Sequence, residues 1–226
     1  MNGRLIHVGI PTLHCYNRLT RLLQALDNSS CSDFDLDFTI VDNGGKLSES
    51  PWMEQLSALK SEVRIVKPTR NLGVSASWNA ILRFLGQCII ANDDIMVSKE
   101  DIGTLVQKAD ECPESMFVAG QEGGWTIFWA NRPGKWLSMG GFDENFYPAY
   151  YEDNDADRRL MLEGLHRTQV TLPSWVHDNS STLYDGSIEY QKAHWVSFNK
   201  NGLYYQRKWG GMPGSEQFTT PFNTNT

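Results

Sequence analysis

The chain has 226 residues, enough to bury a sizeable core, and its 40% hydrophobic and 21% charged composition excludes wholesale disorder. A net charge of -7 argues against a nucleic acid polymer as ligand, which needs a basic face, while leaving room for one small phosphate compound held by a metal or by helix N-termini. Cys15, Cys31, Cys88 and Cys112 form no C-x-x-C pair, and neither a signal-peptide core nor an apolar run of membrane-spanning length occurs, so the chain reads as reduced and cytoplasmic, without a transmembrane segment and at most peripheral to a membrane.

In chain order, the β-branched run 5–10 predicts a first buried strand, broken by Pro11-Thr12. Asn17 is read as the cap of a helix to about residue 28, with Leu19, Leu22, Leu23 and Leu26 on one face. A second strand, 38–41, ends in Asp42-Asn43-Gly44-Gly45. Helix 51–60, strand 63–66 and helix 75–84 follow, the last preceded by Asn71-Leu72-Gly73-Val74. An apolar run from Ile89 then opens onto Asn92-Asp93-Asp94, and apolar character resumes at Ile95. This alternation predicts an α/β fold: one Rossmann-like, mostly parallel central sheet flanked by helices.

The second half changes character. Helix 101–111 and strands 116–119 and 125–129 lead to Gly140-Gly141-Phe142-Asp143-Glu144 and a cluster of Phe146, Tyr147, Tyr150 and Tyr151. Glu152 opens an acidic helix to about residue 163, closed by Gly164. The tail 187–209 reads as a helix ended by Gly210-Gly211. No repeat, low-complexity tract or linker divides the chain, so residues 1–226 are taken as a single domain.

Ligands of α/β domains gather at the carboxyl ends of strands, where a carboxylate pair such as Asp93-Asp94 can hold a hard cation and, through it, phosphates. The competing reading is a plain turn, which Asn and Asp favour. Four blocks weigh on the choice: Ile10-Pro11-Thr12, Val41-Asp42-Asn43, Asn92-Asp93-Asp94, and Gly140-Gly141-Phe142-Asp143-Glu144 through Tyr151-Glu152-Asp153. As an ordered set they resemble the inverting family-2 glycosyltransferases of the GT-A fold, the group that includes rhamnosyltransferases. Asn92 departs from the pattern, since many relatives carry Asp at that place of the DxD-like motif.

The resemblance implies a metal-dependent, inverting transfer of a sugar from a nucleotide-sugar, a UDP-sugar first and a dTDP-sugar second, to a glycan or glycolipid acceptor. It divides the domain into a nucleotide-sugar-binding half, 1–97, and an acceptor-binding half, 98–226, with a C-terminal acceptor-side region. It makes Asp94 the main ligand of Mn2+ or Mg2+, with His177 completing the cation site and Asp93 near the donor ribose or the metal. Pro11, Thr12, Asp42 and Asn43 are expected at the nucleotide, with Asp42 on the base; Asn71 and Asn79 are further donor-side candidates. Asp153 is the first candidate for general base and Glu152 the second. Each has a structural reading beside it: strand-end caps for Thr12 and Asp42, a satisfied helix amide for Asn79, dipole-complementing acids for the helix start. Asp155 and Asp157 are expected to orient neighbours or pair with Arg158 and Arg159. His7, His14, His166 and His194 are read as structural. One of Trp125 and Trp129 is expected in the core and the other in an acceptor groove. Lys208-Trp209 is read as a lid over the diphosphate or as a glycine-capped helix end.

Two rivals remain. A sugar nucleotidyltransferase needs a Gly-rich basic loop after the first strand, which residues 9–14 do not supply. A catalytically inactive glycan-binding relative has no need of the two acid pairs.

Overall fold

The computed structural model describes residues 3–28, 34–120, 125–178 and 186–224. In β1 (Arg4–Thr12), Ile6, Val8 and Ile10 enter one core by their period of two. Gly9 faces the other side, where a Cβ would come within 2.3 Å of the Ile81 side chain. The helix α1 (Tyr16–Asp27) buries Leu19, Leu22, Leu23 and Leu26, as their spacing predicts. It begins one residue before Asn17, with Cys15 at the N-cap and no side-chain cap, so Asn17 is not its cap. The strand β2 (Phe34–Asp42) extends well upstream of the predicted 38–41. Its first residues alternate, Phe34 and Leu36 buried and Asp35 and Asp37 outward, a half-buried strand pattern that composition alone obscures.

The remaining elements are α2 (Trp52–Ser57), β3 (Val63–Val66), α3 (Gly73–Leu85), β4 (Ile89–Ala91), β5 (Ile95–Met96), α4 (Lys99–Glu111), β6 (Phe117–Gly120), β7 (Ile127–Ala130), α5 (Pro133–Ser138), α6 (Glu152–Leu162), β8 (Arg167–Val170), β9 (Val176–His177) and α7 (Ile188–Trp209), then a 3-10 turn at Pro221–Asn223. Among the described residues the main sheet has seven strands in the order β3-β2-β1-β4-β7-β6-β8. The first four are parallel; β7 runs antiparallel to both β4 and β6, and β8 is parallel to β6. The α/β architecture predicted from the sequence is the one found. The two-residue strands β5 and β9 form a separate antiparallel pair.

One core lies between the sheet and α1, α2 and α4, the other under α3, α5 and α6. A third cluster, Phe146, Tyr205 and Trp209, fastens α7 to the start of α6. No helix among the described residues is long and apolar enough to cross a membrane. Cys15, Cys88 and Cys112 are free thiols; Cys31 lies outside the described residues.

Candidate active site

The parallel strands β1, β2 and β4 point their carboxyl ends to one edge, and a cavity of about 470 Å3 opens there. At one corner β4 stops at Ala91 and the chain turns through Asn92, Asp93 and Asp94 before β5. The Thr12 hydroxyl, at the end of β1, donates to Asp93 Oδ2 at 2.6 Å. Burial, with the neighbouring Asp94 charge adding to it against the Thr12 bond, pushes the Asp93 carboxyl up to about 7. Pairing of β5 with β9 sets Ile95 opposite His177 and brings His177 Nε2 to 3.2 Å from Asp94 Oδ1. The Asp178 amide donates to the Asp94 carbonyl at 2.9 Å, and Arg18 of α1 pairs with the Asp178 carboxylate.

A carboxylate beside an imidazole is a donor set suited to a divalent cation such as Mn2+. Among the described residues no group of three or more His, Cys, Asp or Glu is arranged as a metal cage. The pair therefore fits a cation that takes its remaining oxygens from phosphate and water.

The facing wall comes from α6. Tyr150 and Tyr151 both hold positive φ, 79° and 73°, an uncommon backbone for bulky residues and a strain of the kind found at functional sites. The kink delivers Glu152 and Asp153 to the cavity as the first residues of the helix. Glu152 is buried, its Oε2 has no hydrogen-bond partner among the described residues, and burial followed by the Asp153 charge raises its carboxyl well above the usual range. Asp153 is half-buried and accepts from the Asn154 amide at 2.8 Å; burial outweighs that bond and raises its carboxyl too. Asp155 turns the other way, accepting from Trp209 Nε1 at 2.9 Å and pairing with Lys208 Nζ at 2.6 Å. The same Nζ reaches Asp143 Oδ2 at 2.7 Å, so one buried cation ties the end of α7 to the Gly140–Glu144 segment and to α6.

Residues 7–160, more than half of the chain, match the model of a family described as glycosyl transferase family 2. The chain belongs to that family. A search of the curated proteins finds no match. Solved structures with a similar fold include a mannosyltransferase from Pyrobaculum calidifontis in complex with GDP-Man and Mn2+, at TM-score 0.59 and 14% identity over 81% of this chain and 60% of that one. TarS 1-349 of S. aureus superimposes at TM-score 0.58 and 13% identity over 90% of this chain and 73% of TarS. Glucosyl-3-phosphoglycerate synthase from Mycobacterium tuberculosis, in complex with Mn2+, UDP and phosphoglyceric acid, gives 0.55 and 16% over 86% and 78%. At such identities the likeness is one of GT-A fold. This family-2 chain spans 60% of the length of the mannosyltransferase.

Of the residues singled out in the family-2 sequence, Pro11, Thr12, Asn43, Asn71, Asp93, Asp94, Glu152, Asp153 and His177 all line the one cavity. Asp42 and Asn79 do not. The Asp42 carboxylate accepts from the Tyr16 hydroxyl at 2.9 Å and from the Gly45 and Leu47 amides at 2.8 and 2.9 Å, so it braces the turn after β2. Asn79 is fully buried; its amide nitrogen donates to the Phe142 carbonyl at 2.8 Å, and its oxygen accepts from the Phe142 amide at 2.8 Å. That places Asn79 as a clamp on the Gly140–Glu144 segment, beneath Gly141, whose φ of +65° and lack of Cβ the contact requires. Asn43 lines the cavity while accepting from the Leu72 amide at 2.8 Å, and Asn71 accepts from the Gly73 amide at 2.9 Å, ordering the start of α3.

The lid reading of Lys208-Trp209 gives way to the glycine-capped one: both side chains are buried, and Gly210 takes φ 75° at the C-cap. Asp157 pairs with Arg167, at 3.2 Å, not with Arg158 or Arg159. Trp125 lines the cavity and Trp129 packs in the opposite core. Asn179, Ser180 and Ser181, noted after His177 in the sequence, lie outside the described residues. Sequence reasoning missed Tyr190 and His194, which also line the cavity from α7. Their i,i+4 spacing on a helix was the available signal. Burial lowers the His194 pKa and pushes Tyr190 up to about 12.

Proposed function

We propose that the chain transfers a sugar, hexosyl or rhamnosyl, from a nucleoside-diphosphate donor, a UDP-sugar in the first instance, to a hydroxyl of a glycan or glycolipid, with inversion. The observation that carries this reading is the meeting of the Asp94–His177 pair and Asp153 in one cavity at the strand ends. A divalent cation bound by Asp94 and His177 supplies Lewis-acid neutralisation of the diphosphate leaving group. Thr12 holds Asp93 in place, and Pro11, Asn43 and Asn71 are assigned to the nucleotide side. Asp153, with a carboxyl raised by burial and bonded only to helix amides among the described residues, takes the proton of the acceptor hydroxyl. The freed oxygen bonds to the anomeric carbon as that carbon's bond to the diphosphate oxygen breaks, and one displacement inverts the centre. Tyr150, Trp125 and Trp175 wall the cavity and exclude water that would otherwise hydrolyse the donor.

The test incubates the chain with a panel of UDP- and dTDP-sugars, manganese and mixed glycan acceptors, and reads the product's anomeric configuration by NMR. Inverted product supports the reading; retained configuration removes the single displacement, and pyrophosphate released in a parallel incubation with UTP and a sugar 1-phosphate returns the nucleotidyltransferase alternative.

A further inference from the structure

The helix α7 has two faces with different work. Its inner face carries Tyr190 and His194 into the cavity and Tyr205 and Trp209 into the core. Its outer face holds Ile188, Trp195, Val196 and Leu203, each more than half exposed; Val196 (68%), Ile188 (66%) and Leu203 (61%) are the most exposed large apolar side chains among the described residues. At 3.6 residues per turn these four fall within roughly one third of the helix circumference. Three exposed cations accompany them: Lys192 within the stripe, Lys200 and Arg207 along one edge, against Glu189 as the one acid of the helix. This basic face belongs to a chain of net charge -7.

An apolar stripe with an indole, bordered by cations, on an otherwise acidic protein is complementary to an anionic lipid surface: the side chains enter the headgroup boundary and the cations meet the phosphates. A second copy of the chain fits worse, because two-fold pairing along the stripe sets the three cations of one helix against those of the other. We infer that the outer face of α7 docks the protein on an anionic membrane, beside the cavity that the same helix walls. That the acceptor is then lipid-borne rests on the proposed glycosyl transfer; the docking itself does not.

Sedimentation of the chain with vesicles of phosphatidylglycerol in phosphatidylcholine, against pure phosphatidylcholine, tests it. Binding should require the anionic lipid and weaken with salt. The pairs Trp195→Gln with Leu203→Gln, and Lys192→Glu with Lys200→Glu, should each lower the vesicle partition coefficient at least about tenfold. Both should keep manganese-dependent UDP binding, since none of these residues lines the cavity. Failure of the unaltered chain to bind anionic vesicles, or binding by both variants as strong as that of the unaltered chain, overturns the inference. So does a dimer in light scattering that the Trp195/Leu203 variant dissolves, which assigns the stripe to a second copy. Loss of transfer with vesicle binding intact would instead count against the proposed chemistry.

Discussion

Glu152 and Asp153 are adjacent in sequence and differ in surroundings. Asp153 has one local hydrogen bond and partial exposure, which suits a group that gains and loses a proton; Glu152 is sealed, with an oxygen left unpartnered. Asp153→Asn should lower kcat by about 10²–10⁴ while UDP binding survives, because the amide keeps size and loses basicity. Near-full turnover in this variant, with Glu152→Gln inactive, would move the base to Glu152. The base must be ionised, so kcat/KM should rise with pH through a pKa above the ordinary Asp range, the direction burial gives. A profile that is flat above the ordinary Asp pKa contradicts that. Glu152 carries a stability cost with a definite sign. A carboxyl whose folded pKa is raised gives stability that is full below its unfolded pKa and is lost as pH rises through the folded value. Glu152→Gln should therefore melt higher than the parent at pH 8 and close to it near pH 4, by ~2–4 °C for each kcal/mol relieved. Equal melting at both pH values would show that the cavity solvates the charge. Asp42→Ala leaves a buried hydroxyl and two amides without their acceptor and should cost roughly 1–3 kcal/mol in urea unfolding, with donor KM little changed. A large rise in KM at full stability would return Asp42 to the nucleotide.

At the scale of elements, the site depends on how α6 is held. Lys208 of α7 lies between Asp143 and Asp155 and sets the first turn of α6 from behind. Lys208→Met removes the cation from between a buried carboxylate, Asp155, and a partly buried one, Asp143, a change of about 3–5 kcal/mol. Thermal unfolding should show it, and activity per folded molecule should fall with it; an unaltered melting temperature would mean that Trp209 and Tyr205 hold the helix alone. The same elements explain what was legible in the sequence. α1, α3, α6 and α7 are long enough for their pattern to show, β4 is an unbroken apolar run, and β1 is apolar from Leu5 to Ile10 but for His7. β8 (Arg-Thr-Gln-Val) has no apolar pattern, α5 is a single short run in which Pro133 and Trp136 are buried, and β9 is two residues long. Nothing local in Val176-His177 marks a strand; it becomes one only because β5 is there to pair with it.

For the molecule as a whole, the cavity is assembled from β1, α3, the turn after β4, α6, β9 and α7, elements drawn from both halves of the chain. The acid pairs were readable because strand-end and helix-start positions are fixed by local pattern. The approach of His177 to Asp94 was not, because it depends on long-range pairing. Asp42 and Asn79 teach a related point: residues of a site's motif can serve its scaffold, and a sequence does not say which way a side chain turns. In the proposed reaction, Asp94 and His177 together hold a cation that holds the nucleotide. Calorimetric titration of UDP, with and without manganese, into the unaltered chain, Asp94→Ala and His177→Ala tests it most directly. UDP should bind the unaltered chain at least tenfold more tightly with manganese, and each variant should lose most of that gain. UDP affinity indifferent to manganese, or a manganese gain kept in full by both variants, contradicts it.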